Sequence, residues 1–357
     1  MNSMLWEPFT LGEIPIAHRL AMAPMTRGRA TRHGAPTEMN ATYYAQRASM
    51  AVIITEGTQP SEDGQGYPLT PGIFTPAQIA SWRQVTDAVH AAGGRIIIQL
   101  MHVGRISHPL NTPHGRQPVA PSAVKAPGTM YTSVGALSFP TPRALSPDEI
   151  TQTINDHRLA AASAIAAGAD GVEIHAANGY LTHQFLSSNV NQRTDQYGGS
   201  VENRIRFALE VASGVAAEIG AGRTGIVISP GNPFNDVAED DVEILYSELV
   251  RALAPLRLAY LNVTHGGDDS LIQGIRRDWP TAMLLNRRGA DIAKRIEDLD
   301  NGVADVITVG TQALANPDLV ARLKAGAALN QADPSTFYGG GERGYTDYPT
   351  MELGSHF

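Results

Sequence analysis

The segment His175-Ala-Ala-Asn178-Gly-Tyr180 brings together three side chains that can work on one substrate. Two hydrogen-bond donors converging on one substrate oxygen can stabilise negative charge that grows there during a reaction. A tyrosine hydroxyl close by can deliver a proton. Residue type alone does not choose this chemistry. A histidine packed in a core and an asparagine closing a loop explain the same letters more simply, so the choice depends on where the chain places them.

The placement can be read from the rest of the sequence. Eight short apolar, β-branched runs, at 19–24, 51–57, 95–102, 171–177, 225–230, 258–265, 282–286 and 305–310, alternate with helical patterns. The runs are continuous rather than alternating, as expected of parallel strands buried on both faces. Helices are predicted at 36–48, 76–92 and 146–167, and near 201–219, 240–253, 270–277, 290–299 and 317–324. Ser146 can cap its helix, Pro147 suits the first turn, and Glu149 can close a capping box. Ser200 can cap the helix that follows it. Eight strand–helix units in 357 residues predict one α/β domain, a (β/α)8 TIM barrel spanning 1–357. An open doubly wound sheet would carry a glycine-rich turn after its first strand, where this chain has Met25-Thr-Arg27. Two additions are predicted: an N-terminal hairpin at 5–17 closing the barrel bottom, and a long loop at 102–145 after strand three, over the catalytic mouth.

Composition excludes several function classes. With 27 basic against 35 acidic residues and a net charge of −8, the chain is poorly suited to gripping nucleic acid through phosphates. It has no cysteine, which rules out disulfides and thiol chemistry and fits a cytoplasmic protein. No leader, membrane span or metal cluster is expected, and the expected partner is a small molecule, with the chain a monomer or homodimer.

In a TIM barrel the active site lies at the C-terminal strand ends, and several of these carry a shared pattern. Met22-Ala-Pro-Met-Thr-Arg27, Thr55-Glu-Gly57, Gln99-Leu-Met-His102, His175-Ala-Ala-Asn178-Gly-Tyr180, Ser188 to Gly199, Asn316-Pro-Asp-Leu319 and Tyr345-Thr-Asp-Tyr-Pro349 together resemble the Old Yellow Enzyme family, in order, from about residue 5 to 350. The resemblance implies an ene-reductase that passes hydride from NADH or NADPH through bound FMN to an activated C=C. It implies that His175 and Asn178 hold the substrate oxygen and that Tyr180 donates the proton. By the same resemblance Pro24, Met25, Thr26, Gly57, Gln99 and His175 contact the flavin ring, Gly310 and Thr311 lie at its phosphate, and Tyr67, Met101 and Tyr345 line the substrate side.

Two positions depart from the pattern. Where the family has an arginine beside flavin N1 and O2, this chain has Val227. Where the family has Gly-Arg after strand eight, it has Gly310-Thr311. Losing a cation near N1 and a charged fork on the phosphate predicts weakened FMN binding. Arg287 or Arg288, just after strand seven, is the expected source of replacement charge, although both also suit a solvated face. The departures leave three alternatives open: a deazaflavin cofactor of the F420 type, a non-redox isomerase using Tyr180 as acid, and a non-catalytic ligand-binding barrel.

Overall fold

In the computed structural model, which describes residues 4–265, 267 and 269–351, eight parallel strands close into a barrel. They are Leu20–Met22, Ile53–Ile54, Ile96–Leu100, Gly171–Ala176, Thr224–Ile228, Tyr260–His265, Ala282–Arg287 and Val306–Val309, here called barrel strands one to eight. Strand eight pairs with strand one through Val309 and Met22, which completes the closure. Every predicted strand is present. The second is much shorter than its apolar run because the ladder breaks at Glu56, whose backbone N–H bonds the Tyr44 hydroxyl at 2.9 Å instead of a neighbouring strand.

The eight predicted helices follow their strands: Glu38–Ala45, Pro76–Ala91, Pro147–Ala166, Val201–Ile219, Val242–Leu253, Asp269–Asp278, Ile292–Asp300 and Leu319–Ala325. Ser146 accepts from the Glu149 N–H, and Glu149 reaches back to the Ser146 N–H at 2.8 Å, closing the predicted capping box. Ser200 caps its helix through the Asn203 N–H. Two short helices without an apolar period long enough to read, Leu181–Leu186 and Thr311–Ala315, sit at the barrel mouth. Phe185 in the first stacks on Phe207 with ring centroids 4.2 Å apart, which ties the catalytic loop to the outer helical layer.

Two apolar layers result from the alternation of strand side chains. The larger fills the space between barrel and helices, with Ile98, Leu100, Val172, Ile174, Ile226 and Ile228 among its members. The smaller fills the lower barrel interior with Ala21, Val52, Ile54, Ile97, Ala282, Leu284 and Val306, and the N-terminal hairpin Phe9–Leu11/Ile14–Ile16 adds Leu11, Ile14 and Ile16 to it from below. At the hairpin tip, Gly12 has φ +63°, and a Cβ there would lie 2.3 Å from the Gly222 carbonyl oxygen, so only glycine fits.

The predicted long loop carries structure of its own. Val119–Ala120 pairs with Arg143–Ala144, and Thr129–Thr132 with Gly135–Ser138 in a hairpin that exposes Tyr131 and Val134 above the mouth. No helix among the described residues is long and apolar enough to cross a membrane.

Candidate active site

Pro24, Met25, Thr26, Gly57, Gln99, Met101, His175, Asn178 and Tyr180 line a single cavity at the C-terminal ends of the barrel strands, joined by Val227, Asn262, Thr264 and Asn286. A wider cleft of about 1110 Å³ opens above it, bounded by Tyr67, Met130, Phe139, Tyr180 and Tyr338 among others. Tyr180 and Thr26 belong to both, so cavity and cleft meet at the tyrosine.

His175 ends strand four facing inward. Its Nδ1 accepts the Ala177 backbone N–H at 3.2 Å, which fixes the tautomer and leaves Nε2–H as a donor. Burial, with nearby His183, pushes its pKa down to about 3, so the ring is neutral. Asn178 has φ +53° and Gly179 φ +72°. A Cβ at Gly179 would lie 2.4 Å from the Phe234 carbonyl oxygen, so the turn requires glycine. The Gly179 N–H bonds His183 Nδ1, and the His183 Nε2 meets Glu239 at 2.7 Å, a buried brace under the turn. Asn178 Oδ1 accepts from Asn232 at 2.8 Å, which leaves its own Nδ2 hydrogens for the cavity. Two neutral donors thus share one small space.

The Tyr180 ring stands edge-on to His175 with centroids 5.0 Å apart, and its hydroxyl lies 3.1 Å from that of Tyr67. Burial and the neighbouring Tyr67 raise its pKa well above the ordinary tyrosine value, so the hydroxyl keeps its proton at neutral pH.

Beneath the cavity, Gln99 Nε2 donates to Glu173 Oε1 at 2.7 Å, which leaves Gln99 Oε1 for the cavity. Gly57 makes room for Met101: a Cβ at 57 would lie 2.4 Å from the Met101 Cε. Glu56, fully buried, accepts from the Arg27 and Gly28 N–H groups at 2.9 and 3.0 Å and clamps the loop that carries Thr26. A flat ring with a polar edge fits this set: Pro24, Met25 and Val227 offer apolar faces, while Gln99, Asn262 and Thr26 offer polar atoms. The buried Asn262 Oδ1 has no hydrogen-bond partner among the described residues, and Asn262 lines the cavity.

Two expectations fail. Tyr345 is not at the mouth. It is fully buried, stacked on Tyr43 at 4.1 Å with Arg29 over its other surroundings, and its hydroxyl accepts from Asn40 at 2.9 Å. A motif fixes a position in the chain but not the direction of a ring, and here the ring anchors the C-terminal segment. Tyr338, which no motif marked, occupies the cleft instead. Arg287 is also committed elsewhere. Its guanidinium forms a fork on Asp298 at 2.6 and 2.8 Å and bonds Asp269 at 2.7 Å, so its charge is spent within the fold. Arg288 is exposed, and its guanidinium donates to Asn232 Oδ1 at 2.8 Å. Gly310 packs beside Met25, and Thr311 opens its short helix exposed at the rim, outside the ring cavity.

Comparison with known proteins agrees with this geometry. Residues 4–330 match the NADH:flavin oxidoreductase / NADH oxidase family. A probable flavin mononucleotide-dependent alkene reductase of Leishmania infantum is 42% identical, over 98% of this chain and 98% of that protein. A putative 12-oxophytodienoate reductase of rice, Oryza sativa subsp. japonica, is 40% identical over 98% and 93%. Morphinone reductase solved with tetrahydroNAD superposes with a TM-score of 0.95 at 44% identity, covering 99% of both chains. The old yellow enzyme homologue from Zymomonas mobilis gives 0.94 at 41%, covering 97% and 99%.

Proposed function

The chain belongs to the NADH:flavin oxidoreductase / NADH oxidase family, the Old Yellow Enzymes, and on that premise we propose how its own residues carry the reaction. It is an FMN-dependent ene-reductase that draws hydride from NAD(P)H and reduces the activated C=C of an α,β-unsaturated carbonyl or nitro compound. The relatives' names favour FMN over a deazaflavin, and reduction over isomerisation or idle binding.

The observation that carries the assignment is the pair of neutral donors. His175 Nε2–H and Asn178 Nδ2–H hold the substrate oxygen, and both are pinned from behind, so neither reorganises as charge develops there. Bound FMN supplies the hydride that reaches the β-carbon. Tyr180 supplies the proton at the α-carbon, with Tyr67 holding its hydroxyl in place. Gln99 and Thr26 would hold the polar edge of the ring, with Gly57 also at an edge, Pro24 and Met25 would line its faces, and Gly310, Thr311 and Arg288 would meet the phosphate end. Tyr67, Met101 and Tyr338 shape the substrate side. The cleft, at about 1110 Å³, accommodates a multi-ring substrate. An acidic, cysteine-free chain supports work in the cytoplasm, as a monomer or homodimer.

Tyr180→Phe tests the division of labour. Reduction of bound FMN by NAD(P)H is expected to stay nearly intact, while reduction of an enone slows on the order of 100-fold or more. Stopped-flow traces of the two half-reactions measure this, and equal slowing of both overturns the role.

A further inference from the structure

Glu173 lies in the barrel interior one layer below the cavity floor, with no solvent-exposed surface. An unscreened buried carboxylate is costly, and among the described residues this one has no cation beside it. The groups that face it are Gln99 on strand three, Gly225 across the strand-five pair, and Asn262 and Tyr260 on strand six. His175, two residues further along the same strand, is neutral. Gln99 gives Nε2–H to one carboxyl oxygen at 2.7 Å, and Asn262 gives Nδ2–H to the other at 3.0 Å. An ionised carboxylate can only accept. It therefore turns both amides, whose residues line the cavity, so that their carbonyl oxygens point away from the carboxylate, and Asn262 Oδ1 is left buried and unpartnered among the described residues. Val227, next to Asn262 in the strand register and also lining the cavity, has nothing to donate. The floor at this point therefore meets any added negative charge with acceptors alone.

We propose that Glu173 and Asn262 form a proton-coupled switch under the polar edge of the cofactor: Glu173 takes up one proton when the cofactor receives hydride, and Asn262 then turns its amide N–H toward the cavity. The inference rests on the FMN reading above. The balance is simple. The hydride brings two electrons and one proton, adding one negative charge to the cofactor, and NAD(P)H leaves as NAD(P)+. One proton from solvent neutralises Glu173, so the net charge of barrel plus cofactor is unchanged. The new carboxylic O–H donates to the Asn262 oxygen. That oxygen swings inward, and Nδ2–H takes its place at the cofactor edge, where the chain has no cation to offer. Burial holds Glu173 up to about 7, so the carboxyl exchanges its proton near neutrality. Among its described neighbours only the Tyr260 hydroxyl also titrates, and it stays protonated because burial and the carboxyl raise its pKa well above the ordinary value.

The test is the midpoint potential of bound FMN as a function of pH. Each proton coupled to a two-electron couple changes the equilibrium tenfold per pH unit, about 30 mV. Above about pH 7, where the Glu173 carboxyl of the protein alone is ionised, the wild type is expected to fall by about 60 mV per pH unit, two protons per two electrons, and Glu173→Gln by about 30 mV. A wild-type slope near 30 mV overturns the proposal. So does a steep slope that survives in Glu173→Gln, since the second proton would then sit on the cofactor. If that variant does not fold, the infrared difference between reduced and oxidised wild type decides. A new carboxylic C=O band that shifts in D2O, and that is lost in Asn262→Leu, supports the switch, and its absence overturns it. Failure of the FMN reading is distinct, because the protein would then neither bind FMN nor bleach it with NAD(P)H.

Discussion

The two sides of the barrel mouth are prepared to different degrees. At strands three and four each functional side chain already has one polar end fixed by the protein: His175 Nδ1 on the Ala177 N–H, Asn178 Oδ1 on Asn232, Gln99 Nε2 on Glu173. Tautomers and rotamers there are set before any ligand arrives. At strands seven and eight the buried cation is neutralised by Asp298 and Asp269, Thr311 stands in solvent, and Arg288 reaches across to Asn232 from an exposed position. The difference teaches that, on the proposed assignment, the side for the substrate oxygen is rigidly built, whereas the side for the cofactor's charged end offers only exposed or already committed groups.

The comparison breaks most visibly at Arg287. Its removal leaves Asp298, almost fully buried, without its fork. Arg287→Ala is expected to lower unfolding free energy by roughly 3–5 kcal/mol, measured by urea titration. FMN affinity, corrected for the folded fraction, should barely change. A large selective loss of FMN would return Arg287 to the phosphate.

On the rigid side, His175→Ala and Asn178→Ala should each weaken binding of a phenolate ligand by roughly 1.5–3 kcal/mol, with FMN retained. Titration of the flavin absorbance reads both quantities. If the phenolate affinity is unchanged, the paired donors do not form the oxygen site.

A smaller effect is expected at the loose side. Arg288→Ala should weaken FMN binding about five- to tenfold, near 1 kcal/mol for an exposed charge, with stability unaltered, and Thr311→Arg should tighten it. Fluorescence titration of apoprotein with FMN tests both. Tight FMN binding that neither change moves would mean that the backbone alone grips the phosphate.

The remaining expected effect is a slope. Burial pushes His102 and His175 down to about 3 and His157 to about 4. Their folded values lie below the unfolded 6.5, so their contribution to stability is present above pH 6.5 and lost as pH falls toward 4. Glu173, raised to about 7 from 4.5, works in the opposite sense. Its contribution is present below 4.5 and lost as pH rises through 7. The three imidazoles make stability fall with acid between these limits, and Glu173 opposes them. His157→Gln should flatten the fall by one proton, about 1.4 kcal/mol per pH unit, in urea titrations between pH 5 and 6. An unchanged slope would show that the imidazole is not held neutral.

Much of this was legible in the residues. The strands and main helices follow from apolar period and caps, because both reflect local rules that Ser146, Glu149 and Ser200 obey in the fold. Pro24, Thr26, Gln99, His175, Asn178 and Tyr180 converge because a barrel gathers its strand ends on one face. What stayed hidden depends on partners distant in sequence. Arg287 reads as a free charge until the strand-to-helix turn brings Asp298 and Asp269 to it. Tyr345 reads as a mouth residue until Tyr43 and Asn40 claim it. Glu173 and Asn262 carried a signal that could have been followed: each is a polar residue in an apolar strand, and Glu173 shares the inward parity of His175.

The N-terminal hairpin has one more consequence, for the order in which the molecule is made. Gly12 and Glu13 at its tip fit against Gly222 and Ala259, with the Glu13 N–H on the Gly222 oxygen at 2.8 Å. These partners leave the ribosome more than two hundred residues later, on the order of tens of seconds at ordinary rates of translation. This segment, made well before its partners, is therefore among the last to find its seat. Until then Leu11, Ile14 and Ile16 form a short apolar ribbon without its seat, open to pairing elsewhere.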